Sequence, residues 1–175
     1  APKVQPSKVL VYIASIFAIT LWGMSYIWTD KLIALNIPIF YFVFVRILVA
    51  GIVLFLFNTA YARIKRIQKQ DLGKFLLLAF FEPFIYFICE TYGLKLTGSP
   101  TLSAMVVATI PIFSIGAGII FFKEKVNVVN IVGIVFTLIG IVMVAMAKGE
   151  LGENFIWGVV LLLIAVVSEV GHASI

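Results

Sequence analysis

An all-α, polytopic membrane fold is predicted by three features of this chain. It contains six apolar runs long enough to cross a bilayer, charged residues make up only 12% of it, and its basic residues gather in short connectors. The hydrophobic fraction of 63% and the mean hydropathy of +1.18 lie far above the roughly 45–50% apolar content of soluble domains. So few charges cannot cover a water-facing surface. Six spans of about 20 residues each leave room only for short loops, so no separate soluble domain is expected within the 175 residues.

The runs cover residues 9–28, 38–58, 72–94, 102–122, 128–147 and 155–175. Each is about twice the 9–11 residues of a barrel strand and lacks strict alternation, so each reads as a helix. The first is too long and too well embedded to be a removable signal segment. The second begins at Pro38. The third contains Pro83, which removes a backbone donor and predicts a kink. Thr97-Gly98-Ser99-Pro100 reads as a turn that also opens the fourth run, and Pro111 predicts a second kink within it. Glu124 precedes the fifth run, where an acidic residue favours a helix N-terminus. That run carries Asn130, Gly133, Thr137 and Gly140 on one face, a small-residue pattern suited to close helix approach within the unit or between protomers.

The net charge of +5 does not point to nucleic acid. With the N-terminus inside, Lys3, Lys8, Arg63, Lys65, Arg66, Lys69, Lys74, Lys123 and Lys125 collect on the cytoplasmic side. Only Lys31, Lys95 and Lys148 fall in the outer loops, an asymmetry that orients the chain. Trp28, Tyr61 and Trp157 at span ends suit the interfacial belts. The single cysteine, Cys89, rules out a disulfide framework within these residues.

Ionisable residues inside the spans are the functional signal. A charge near the bilayer centre costs several kcal/mol unless it is paired or wetted, so such groups face a bundle interior or a cavity. In the third span Glu82, Tyr86, Cys89, Glu90 and Gly93 fall within an arc of about 100°. Measured from the outer ends, Glu90 lies about 6 Å deep, Arg46 about 12 Å and Glu82 about 18 Å. Arg46 can therefore reach either carboxylate but neutralise only one. The other is left to a proton, a cation or a substrate amine, because burial disfavours the charged form. A structural ion pair locking the second and third spans is the alternative role for Arg46. Trp22 and Tyr26 share a face of the first span and can line a site for a small organic molecule, or simply pack. Glu169 and His172 lie three residues apart in the sixth span and can touch; His172 is a candidate proton relay or substrate contact. A di-iron reading of Glu-x-x-His would need a second such motif, and the chain has one histidine, so no metal or other cofactor is expected.

The order and spacing of several short motifs resemble the EamA family of the drug/metabolite transporter superfamily. They are Leu21-Trp22-Gly23-Met24-Ser25-Tyr26, Arg46 followed by Ala50, Tyr92-Gly93-Leu94, Pro111-Ile112-Phe113, and Glu124 with Gly133 and Gly140 beyond it. Together they span about residues 9–147. The resemblance implies a ten-helix transporter built from two five-helix units of opposite orientation. Residues 1–148 would form the first unit, and 149–175 an outer loop and the first helix of the second. Ser168 and Gly171 in the sixth run echo Thr20 and Gly23 in the first, a weak match of the kind inverted repeats can leave.

The expectation is an inner-membrane secondary transporter, multi-pass with a cytoplasmic N-terminus, working by alternating access. The resemblance implies export of small metabolites such as amino acids or related amphipathic compounds. Partners are the bilayer, a small-molecule substrate, coupling protons, and a second half-unit or a homodimer mate. Two rivals are a non-transporting assembly protein and an intramembrane enzyme. The chain lacks a His-Glu-x-x-His motif, a histidine cluster or a convincing catalytic dyad, which disfavours the enzyme.

Overall fold

The computed structural model describes residues 7–61, 68–123, 127–147 and 153–175. Among them every regular element is helical: α1 (Lys8–Ala34), α2 (Ile39–Ala60), α3 (Leu72–Ala79), α4 (Tyr86–Thr97), α5 (Pro100–Val107), α6 (Ile110–Phe122), α7 (Val128–Ala147) and α8 (Glu153–Ala173). Much of the basic connector (Arg63, Lys65, Arg66), together with Lys3, Glu124, Lys125 and Lys148, lies outside the described residues.

Among the described residues five helical segments are long and apolar enough to cross a membrane: Lys8–Ala34, Ile39–Ala60, Lys69–Thr97, Pro100–Ile120 and Asn154–Ala173. The expected fifth run is the exception, since its apolar stretch Val128–Val144 is shorter. The helix around it, α7, still has 20 residues, about 30 Å at the helical rise. The outward faces are largely apolar, with Phe44, Leu48, Phe55, Val135 and Met143 all exposed, as lipid contact demands.

The helix ends follow local chemistry. Ser7 caps α1 by accepting from the Leu10 amide at 3.2 Å. Asn36 turns the chain towards α2 with φ 56°, a left-handed conformation that its short polar side chain tolerates. Between α4 and α5, Gly98 takes φ 53°, Ser99 caps, and Pro100 opens the next helix, so the turn read from the sequence is present.

Both prolines within spans interrupt their helices. Between α3 and α4, residues Phe80–Ile85 form a wide-turned break in which Glu82 is extended (φ −132°, ψ 124°) and the Glu82–Pro83 peptide is cis. The residue before a proline is disfavoured in the α region, and Pro83 has no N–H to continue the ladder. In the fourth span α5 stops at Val107 and α6 restarts at Ile110. Val107 is four residues before Pro111, the position whose carbonyl the proline ring displaces.

The interior is built on α8. It packs most extensively against α4, and further against α5, α6 and the break. Leu162, Ala165 and Val166 of α8 are fully buried, alongside Leu94, Leu102 and Val107. Two glycines set this spacing. A Cβ on Gly93 would lie 2.7 Å from Leu162 Cγ and 3.0 Å from the Gly158 carbonyl. One on Gly158 would lie 2.8 Å from the Thr97 amide nitrogen. By contrast, Gly133 and Gly140 of α7 have no described atom within 4 Å of such a Cβ. The tight helix contact therefore forms between α4 and α8 rather than at these two glycines of α7.

Candidate functional site

The two proline breaks border one cavity of about 590 Å³. Around it Trp22 comes from α1, Arg46 from α2, Glu82 from the first break, Tyr86 and Phe87 from α4, Pro111 from α6, and Glu169 from α8. Broken helices suit this position, because the backbone groups they free can be satisfied where a helix faces protein or a polar cavity.

Arg46 is engaged on two sides. Its Nη1 lies 3.6 Å from Glu90 Oε2, and its guanidinium carbon sits 4.4 Å from the centre of the Phe87 ring. Glu90 is 4% exposed and lies behind the cavity wall rather than in it. Its Oε1 accepts from the Tyr26 hydroxyl at 2.6 Å and the Tyr86 hydroxyl at 3.2 Å. One carboxylate is thus held by a cation and two hydroxyl donors contributed by α1, α2 and α4. Such satisfaction is what allows a charge to persist out of water.

Glu82 has different company. Its Oε2 lies 3.8 Å from His172 Nε2, and Glu169 of α8 stands within electrostatic reach of both. Glu169 Oε2 is buried and has no hydrogen-bond partner among the described residues. His172 Nδ1 meets the Leu78 carbonyl at 3.1 Å, and the Ser168 hydroxyl donates to the Phe81 carbonyl at 2.8 Å. The α8 side chains therefore engage backbone carbonyls at the end of α3 and in the break. Among the described residues no group of three or more His, Cys, Asp or Glu side chains is placed to hold a metal ion.

The structure brings together Trp22, Arg46, Glu82 and Tyr86 at the cavity, with Glu90 and Tyr26 directly behind Arg46 and Tyr86, and His172 behind Glu82. Tyr26 is buried with its hydroxyl on Glu90; its ring meets Trp22 edge-on at 6.2 Å, and only Trp22 of the two lines the cavity. Gly133, Thr137 and Gly140 lie apart from the cavity on α7, where the Thr137 hydroxyl donates to its own helix at the Gly133 carbonyl. Phe87 as a platform for Arg46, and Gly158 as the partner of Gly93, were not singled out in the sequence. Neither carries a signal beyond its place in an apolar run. Glu169 was paired in the sequence with His172, and the cavity adds Glu82 to that pair.

The family model for the EamA-like transporter family matches residues 9–146. An uncharacterized transporter from Archaeoglobus fulgidus is 24% identical over 161 residues, covering 90% of this chain and 54% of that relative. The chain thus spans about half the length of the curated relative it matches. No solved structure matches it.

Proposed function

The chain belongs to the EamA-like transporter family, and from that premise we propose that it moves small amphipathic metabolites out of the cell across the inner membrane by alternating access. One observation carries this reading: a cavity of about 590 Å³, bordered by two broken helices, presents one cation and two carboxylates beside aromatic walls. Amino acids and related compounds have the size and mixed polarity to suit it. The relative is named a transporter and is nearly twice as long as the matched segment, which supports a second unit completing the far wall of the cavity. In this reading α8 is the first helix of that unit, and the N-terminus is cytoplasmic.

Coupling falls to Glu82 rather than Glu90. Arg46 and two tyrosines already satisfy Glu90, whereas Glu82 lines the cavity facing a histidine and a second carboxylate. Glu82 is therefore the carboxylate that takes up and releases a proton during transport. Counterflow of labelled amphipathic metabolites in proteoliposomes tests the function. Exchange that depends on internal substrate supports it, and no exchange for any compound overturns it. The absence of exchange together with stable self-association would favour an assembly role, for which the open space at Gly133 and Gly140 of α7 marks the relevant surface.

A further inference from the structure

The contact between α8 and the broken helix has a chemistry of its own. A carbonyl oxygen can only accept, so the 3.1 Å contact between His172 Nδ1 and the Leu78 carbonyl requires the ring proton on Nδ1. In the neutral ring that leaves Nε2 with a lone pair, and Nε2 is the atom that faces Glu82 Oε2 at 3.8 Å. Two acceptors directed at one another repel. The contact is favourable only with one further proton present, either on His172, as an imidazolium facing a carboxylate, or on Glu82. Glu169, one helical turn earlier on α8, adds a second carboxylate beside the same proton and keeps one oxygen buried and unpartnered.

We propose that His172, Glu82 and Glu169 hold one exchangeable proton that staples α8 to the break between α3 and α4, and that loss of this proton releases the break. The staple joins groups from two segments far apart in sequence. Ser168 supplies a fixed hydrogen bond one turn along, to the Phe81 carbonyl, and the proton controls the His172 end. The surrounding groups leave the set its own proton balance. Arg46 across the cavity is engaged by Glu90, and the Tyr86 hydroxyl donates to Glu90. On α3, Lys74 is exposed one turn before Leu78. The helices α5 and α6 contain no titratable side chain. The staple itself does not depend on the transport reading; only its role in coupling rests on that reading.

Two measurements on the full natural chain test it. Ring-¹⁵N histidine spectra, assigned by difference with His172→Asn, should show the Nδ1–H tautomer when the ring is neutral; an Nε2–H tautomer overturns the proposal. Hydrogen exchange of peptides covering residues 78–86, normalised for intrinsic rates, should give roughly tenfold more protection at pH 5 than at pH 8. His172→Asn keeps a donor for Leu78 but cannot titrate, and Glu82→Gln removes the facing carboxylate, so both should flatten that ratio. A wild-type ratio persisting in both variants, or a flat ratio in the wild type, overturns it. Counterflow separates the two claims: exchange with a flat protection ratio sinks the staple alone, and a switching ratio without exchange sinks the transport reading alone.

Discussion

The Tyr26 hydroxyl of α1 donates to Glu90 of α4 at 2.6 Å, across 64 positions of sequence and inside the protein. This bond ties the first span to the third through a carboxylate that also faces Arg46 of the second. A hydrogen bond to a charged group is worth about 1.5–3 kcal/mol in water-soluble proteins and less between membrane helices, where about 0.6 kcal/mol is the average. Tyr26→Phe should therefore lower stability by about 1 kcal/mol or somewhat more, read from thermal unfolding in detergent. Tyr86→Phe, which removes a 3.2 Å contact, should cost less.

Arg46→Ala leaves Glu90 buried without its cation, and breaking a buried pair in this way costs about 3–5 kcal/mol. Arg46→Lys restores the charge but neither the planar stacking on Phe87 nor the forked donor geometry, so it should recover only part of the loss. Denaturation midpoints of the two variants check the ordering. Equal stability of Arg46→Ala and wild type would show that the pair does not hold the helices.

Glu82→Gln and Glu90→Gln should separate coupling from structure. The first should flatten the pH dependence of counterflow while the protein remains folded. The second should lower stability and leave the shape of the pH profile in place. An unchanged rate and profile in both variants would end the assignment of coupling to either carboxylate.

Gly158→Leu forces a side chain against the Thr97 backbone, where a Cβ alone would already lie 2.8 Å from the amide nitrogen. Overpacking of this kind costs about 1–3 kcal/mol, and here it should loosen α8 from α4. Gly133→Leu on α7 meets open space and should change stability by no more than about 0.5 kcal/mol. Thermal shifts of the two variants, measured side by side, decide which small-residue face holds this chain together.

Much of the architecture was legible because single residues carry strong local physics. Pro83 and Pro111 foretold both breaks, and Gly98 and Pro100 foretold the turn between the third and fourth spans. The site was legible as a set of residues but not as a set of pairs. Arg46 lies about 6 Å in height from each glutamate when depth is counted at the helical rise, so sequence could not choose between them. The choice follows from Tyr26 and Tyr86, whose hydroxyl directions depend on how α1 and α4 face each other. The small residues of α7 were more conspicuous than Gly158, yet Gly158 meets Gly93 because α8 crosses α4 there. A helix's own periodicity identifies its faces without saying which neighbour each face will meet.

The glycine contact at one end of α8 and the polar contacts at the other give that helix a mechanical asymmetry. Near Gly158 the backbones of α4 and α8 are pressed together and leave little room to slide. His172 lies 14 residues further along, about 21 Å away at the helical rise, and is held by contacts of 3.1 and 3.8 Å. With the glycines as fulcrum, α8 is a lever: a tilt of about 10° would carry the His172 end about 4 Å, from the geometry of a 21 Å arm. That travel exceeds the reach of a hydrogen bond, so a rotation hardly felt at the fulcrum suffices to part α8 from the break.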